Sequence, residues 1–218
     1  MRTFGDRVGR HFGSYDELWQ YSVDHIDDFW RAIWDTSGLI HSQPYESVVD
    51  GTEINTTTWF RGARLNFAEN LLRFRDSRTA ITGESVPGEI SSFTYAELYS
   101  RVARCAQSLR TLGVREGDRV AAFIPNIPEA IVAMLATTSI GAIWSSCSPD
   151  FGLQGVLDRF GQVEPKVLFT ANSYHYDGKR IDCLDKIAHI AAQIPSIEHI
   201  VVISRSGSED PRAGKPDA

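Results

Sequence analysis

From residue 79 onward the apolar positions follow two alternating rhythms. Short apolar runs, suited to strands buried on both faces, alternate with longer stretches whose apolar residues recur every three or four positions. Segments 79–83 and 90–93 read as short strands around Pro87 and Gly88, a hairpin with a loose turn. Thr94 and Glu97 form a capping box, stapled by Phe93 and Leu98. Leu98, Val102, Cys105, Leu109 and Leu112 then share one helical face, closed by Gly113. Strand 119–124 follows a turn. The next helix opens near Pro128, with Ile127, Ile131, Met134 and Leu135 as its expected buried face, and ends at Gly141. Strand 142–145, helix 152–162, strand 166–170, helix 181–193 and strand 199–203 complete the pattern. Four strand–helix repeats predict an α/β fold, a parallel sheet doubly wound by helices through right-handed crossovers. Ligands of such sheets sit at the C-terminal ends of the strands. Here that points to loops 125–128, 146–152 and 171–180.

The first 75 residues differ in character. Four of the five tryptophans lie there: Trp19, Trp30, Trp34 and Trp59. Ser14 and Glu17 suggest one capping box, and Asn66 and Glu69 another. Ile26, Phe29, Trp30, Ile33 and Trp34 have helical spacing, stopped by Gly38. The expectation is a short helical N-terminal extension, with its Trp stripe used for packing rather than for a ligand. Arg61 and Arg64 are expected to pin that extension to the larger domain.

A 218-residue chain with 42% hydrophobic residues supports a sizeable core. The net charge of −6 and the lack of a Lys/Arg block exclude nucleic acid as a natural partner. Cys105, Cys147 and Cys183 are odd in number and far apart. They read as small core residues in a reducing compartment, with neither disulfides nor zinc. The six histidines form no metal-binding pair. No apolar stretch reaches the roughly 20 residues of a membrane span, and the N-terminus does not read as a secretory signal. A cytosolic protein without membrane association is expected. Segment 204–218 is polar and reads as a loop or disordered tail.

Three stretches resemble the acetoacetyl-CoA synthetases, within the adenylate-forming acyl-CoA synthetase superfamily: WFRGARLNFAENLL at 59–72, GDRVAAFIPN at 117–126, and SIGAIWSSCSPDFG at 139–152, continuing to VLDRF at 156–160. The last is the most specific, since the acetyl and propionyl branches carry a different, Gly-rich sequence there. The resemblance implies a domain plan: an N-terminal extension over 1–75, the first α/β subdomain of the large domain over 76–203, then the polar segment. It also implies an activity, in which ATP and Mg2+ convert acetoacetate to an acyl-adenylate that CoA attacks to give the thioester.

That chemistry requires donors around the ATP phosphates, a Ser/Thr/Gly-rich loop ending in Lys. No such run occurs in the 218 residues, nor does the family's small domain with its catalytic lysine. The expectation is therefore an incomplete chain, inactive alone, whose partner is the C-terminal remainder of the same enzyme. It contains no catalytic residue. By resemblance, Ser148, Pro149, Asp150 and Phe151 approach the adenine of CoA. On the residues alone, Asp150 reads equally as the cap of the following helix, with Pro149 stiffening the turn. Lys179 and Arg180 could meet the 3′-phosphate of CoA. They read otherwise as a solvated pair, because the two arginines of the acetate branch are not reproduced and Tyr176 occupies one of those positions. His175 lies in the same loop. Cys147 lacks a His partner in its stretch and is not read as a nucleophile.

Two other readings stay open. A ligase for acetate or propionate is one, and a non-catalytic CoA-binding or regulatory module is another. A nucleotide-binding oxidoreductase would need GxGxxG between strand and helix, which the turns at 125–128, 146–149 and 171–174 do not supply.

Overall fold

The computed structural model describes residues 2–86, 89–177 and 179–204, with only the backbone described at 2, 3, 85, 86 and 89. The expected turn at Pro87 and Gly88 and the polar segment after Ser204 lie outside the described residues. The chain divides into two compact units, with the break between Asn70 and Leu71.

The first unit contains α1 (Arg2–Val8), α2 (Tyr15–Asp24), α3 (Ile26–Ser37), β1 (Ser47–Asp50), β2 (Thr58–Arg61) and the start of α4 (Phe67–Leu71). Ser14 caps α2 by accepting from the Glu17 amide at 3.2 Å. The Glu17 carboxylate reaches one residue past the expected partner, to the Gly13 amide at 2.9 Å. Gly38 closes α3 in the left-handed conformation at φ 61°, where a side chain would be strained. The unit holds its own aromatic clusters. Phe4 lies 5.2 Å from Phe29 and 6.0 Å from Phe12. Trp34 contacts Tyr45 at 5.1 Å and Phe60 at 4.9 Å. It is thus more than a string of helices awaiting a larger partner. The β1–β2 antiparallel pair was not predicted from the pattern. Arg61 pairs with Asp50 at 2.9 Å and Glu46 at 3.4 Å beside its own hairpin.

The second unit opens with the hairpin of β3 (Thr79–Val86) and β4 (Glu89–Thr94) and continues into α5 (Tyr95–Thr111), where the predicted capping box is present in full. β3 runs past Gly83, where the sequence reading ended it. A Cβ at Gly83 would stand 2.5 Å from the ring of Pro128, so only glycine lets the hairpin approach that proline so closely. The sheet follows: β5 (Arg119–Phe123), α6 (Pro128–Ser139), β6 (Ile143–Cys147), α7 (Leu153–Val163), β7 (Val167–Ala171), β8 (Ser173–Tyr176), β9 (Lys179–Asp182), α8 (Leu184–Gln193) and β10 (His199–Ile203). Strands β10, β7, β5 and β6 lie in that order, all parallel.

Both faces of the central strand are covered. Ala121 and Phe123 pack with Leu168 of β7, Val156 and Phe160 of α7, Ile187 and Ile190 of α8, and Ile194 just after it. Val120 and Ala122 are equally buried, on the opposite face. Helices α5 and α6 pack together and complete the winding. Two predicted faces need rotation. In α5 the buried position is Ala106, with Cys105 partly exposed. In α6 the buried residues are Val132, Ala133, Leu135, Ala136 and Thr137, while Ile131 and Met134 are only half-buried. In α6 the unbroken apolar run 130–136 carries little directional information, so tertiary contacts choose the face.

A charged brace holds the N-terminal ends of the strands. The Lys166 ammonium donates to the Gly113 carbonyl at 2.9 Å and lies 3.6 Å from Asp118 and 3.9 Å from Glu198. Arg119 donates to the carbonyls of Val163 and Glu164, both at 3.0 Å.

Removing buried volume from the α7–α8 face should be costly. Ile190→Ala, at a site with 0% exposure, is expected to lower stability by about 2–5 kcal/mol. Ile143→Ala, on an edge strand at 53% exposure, should stay within about 0.5 kcal/mol. Urea unfolding midpoints at unchanged slope measure both.

Candidate functional site

The strand order reverses between β5 and β7: the chain steps outward from β5 to β6, then crosses back to β7. That reversal opens the crevice where doubly wound sheets receive ligands, beyond the carboxyl ends of the strands. Two of the three predicted loops meet there. The first, after β6, is a tight turn in which the Phe151 amide donates to the Ser148 carbonyl at 3.2 Å. The second, 171–180, is not a loop. It is the antiparallel hairpin β8–β9, in which His175 faces Arg180 and Tyr176 faces Lys179. Helix α8 consequently begins at Leu184, three residues later than predicted, with the Leu184 amide capped by the Asp182 carboxylate at 2.8 Å.

Within the turn, Pro149 is buried, Ser148 half-buried, and Asp150 and Phe151 are exposed. Asp150 is not the helix cap that one reading expected. The cap position of α7 is Gly152, without a side-chain bond. Asp150 instead accepts from the Ser148 hydroxyl at 2.9 Å and from the Tyr174 hydroxyl. Burial of Tyr174, reinforced by the hydrogen bond and negative charge of Asp150, pushes its phenol up to about 12. Phe151 is 40% exposed. The Arg159 guanidinium lies 4.3 Å from its ring centre, a cation–π stack.

The central cation was not singled out from the sequence. Lys186, in the first turn of α8, donates to the Pro149 carbonyl at 3.0 Å and the Phe151 carbonyl at 3.3 Å. Its ammonium also lies 5.1 Å from the centre of the Phe123 ring, at the end of β5. A cation at a helix N-terminus opposes the macrodipole by about 0.3–1 kcal/mol. Hydrogen bonds from a charged donor are worth about 1.5–3 kcal/mol each and outweigh that. The sequence offered no signal for Lys186, because in the helix expected over 181–193 it falls in the second turn.

The hairpin bears the predicted basic pair, but its two members differ. Arg180 is engaged, donating from Nε to the Ser173 hydroxyl at 3.0 Å. Lys179 stands opposite Tyr176, which is 63% exposed, at the outer end of the hairpin. Tyr174 links the base of this hairpin to the 148–151 turn, so the predicted residues share one rim of the sheet. The cysteines are not poised as nucleophiles. Burial pushes the thiols of Cys105 and Cys183 up to about 11. Burial also raises that of Cys147, against a smaller opposing pull from Arg159. The described residues contain no helix long and apolar enough to cross a membrane.

A family profile described as AMP-binding enzyme matches residues 67–217. The chain belongs to that family. A second profile, the acetyl-coenzyme A synthetase N-terminus, matches residues 15–71. An acetoacetyl-CoA synthetase from Xenopus tropicalis is 41% identical over 211 residues, covering 93% of this chain and 31% of that protein. A malonamoyl-CoA synthetase from Penicillium aethiopicum is 40% identical over 215 residues, covering 93% of the chain and 30% of its own length. The solved acetoacetyl-CoA synthetase from Streptomyces lividans superposes with a TM-score of 0.88 at 41% identity, covering 97% of this chain and 34% of that one. The chain therefore spans about a third of the length of the relatives it matches. The likeness agrees with the acetoacetyl-CoA synthetase resemblance and with the doubly wound parallel fold expected from the sequence.

The phenol of Tyr174 supplies a pH test. Its ordinary value is near 10, and its folded value is raised, so the fold favours the neutral form. The corresponding stability is complete below about pH 10 and disappears as the pH rises through about 12. Tyr174→Phe should abolish this loss, and phenolate absorbance of the wild type should show one tyrosine titrating last. Ionisation of all tyrosines together near pH 10 would contradict it.

Proposed function

We propose that this chain is the CoA-facing part of an ATP-dependent acid–CoA ligase that activates acetoacetate through an acyl-adenylate. The observation that carries the reading is the 41% identity to an acetoacetyl-CoA synthetase along 93% of the chain. The compartment proposed is the cytosol. In the domain plan that goes with it, 1–75 is the family's N-terminal extension and 76–203 the first subdomain of its large domain.

The division of labour follows from the donor sets present. The chain carries no Ser/Thr/Gly-rich run ending in Lys, so its residues do not fit the ATP phosphates, and no step through ATP or Mg2+ is assigned to them. CoA fits better. Ser148, Pro149, Asp150 and Phe151 form a braced turn with an exposed aromatic ring, suited to the adenine of CoA. Lys179 is a point charge at the hairpin's outer end, suited to the 3′-phosphate. Arg180 is a weaker candidate for that phosphate, because part of its guanidinium is committed to Ser173.

Acetoacetate and malonamate both carry a carbonyl β to the carboxyl group. Near-equal identity to ligases of both acids supports that substrate class. Acetoacetate is placed first because the 145–152 stretch SSCSPDFG resembles its branch.

The test uses two proteins. The 218-residue chain should bind CoA in calorimetry and release no pyrophosphate with acetoacetate, ATP and CoA. A polypeptide of the relatives' length that begins with this chain should release pyrophosphate dependent on all three, faster with acetoacetate than with malonamate, acetate or propionate. Acid-independent behaviour of the longer protein would refute the ligase reading. Turnover by the short chain would refute the division of labour.

A further inference from the structure

The 148–151 turn is fastened from its inner side at two points. Lys186 grips the carbonyls of Pro149 and Phe151, which flank Asp150 on either side. Tyr174, itself buried, grips the Asp150 carboxylate. The outer side is left to solvent, with Asp150 and Phe151 exposed. We propose that Lys186 is a positioning residue for the coenzyme: it touches no ligand, and it holds the turn in the shape that receives one. The proposal rests on the reading of that turn as a CoA contact.

Three observations separate this from ordinary packing. The ammonium is placed against the helix macrodipole, a cost that a leucine or methionine over the Phe123 ring would not incur. Its donors go to loop carbonyls, which regular structure does not otherwise use. Finally, beyond the buried Pro149 the turn presents Asp150 and Phe151 to solvent, so holding its backbone also fixes the shape of an exposed surface. The main cost of binding a ligand to a loose turn is ordering that turn, and a pre-fastened turn avoids it.

The experiment compares CoA and dephospho-CoA binding by calorimetry for the wild-type chain, Lys186→Met and Lys186→Arg, with thermal melting of each. Lys186→Met is expected to weaken both ligands by the same factor, ~10-fold, while Lys186→Arg, which still donates to carbonyls, stays within ~3-fold of wild type. If Lys186→Met does not melt cooperatively, Lys186→Gln is judged by the same criteria. Collapse of both variants would mark Lys186 as purely structural and overturn the proposal. So would unchanged affinity in a well-folded variant. A loss confined to CoA and spared in dephospho-CoA would also overturn it, by assigning Lys186 to the 3′-phosphate instead. Failure of the wild type to bind CoA would overturn the reading of the turn itself, and this inference with it.

Discussion

Strand β5 has no solvent face. Val120, Ala121, Ala122 and Phe123 are all at 0% exposure, so every side chain of its C-terminal four residues must meet protein on one side or the other. A strand of that kind needs neighbours on both edges and helices on both faces. β6 and β7 take the edges, α5 and α6 cover one face, and α7 and α8 cover the other. Right-handed crossovers can satisfy that demand only if the chain reverses direction across the sheet. The reversal creates the crevice between β5 and β7. The position of the candidate site is thus a consequence of burying the central strand.

What fills the inner end of that crevice is the protein's own cation. Lys186 lies over the Phe123 ring and is bonded to the turn after β6, joining the floor of the crevice to its wall. The exposed groups of the candidate site therefore lie outward, on the solvent side of the turn and along the β8–β9 hairpin. At the opposite rim, Lys166 and Arg119 tie strand starts to helix ends with bonds to carbonyls and acids that lie at the same rim. Both rims use long cations to satisfy carbonyls at places where regular hydrogen bonding stops. At the C-terminal rim this comes together with the exposed Asp150 and Phe151.

The first unit obeys a different economy. It has little sheet, and its rings gather in two groups: Phe4, Phe12, Tyr21 and Phe29 in one, Trp34, Tyr45 and Phe60 in the other. Large flat side chains let a short segment bury much area per residue. The pairing of Arg61 with Glu46 and Asp50 keeps its charges within the same unit.

The order of strands and helices was legible in the sequence because it rests on local chemistry. The alternation of short apolar runs with helical spacing, the capping box at Thr94 and Glu97, and the Gly38 stop each depend on neighbours within a few residues. The family was legible from the stretch at 139–152. In segment 171–180 the Asp177–Gly178 dipeptide was a local hairpin signal that the reading as a loop passed over. Contacts between segments distant in sequence were decided only in three dimensions. The apolar surround of α6 left its buried face undetermined until α5 packed on it. Asp150 looked like a helix cap until Tyr174 was folded beside it. Lys186 showed only a charge within an expected helix. Its partners, 35 and 37 residues away along the chain, come within hydrogen-bonding reach only when α8 packs beside the end of β6.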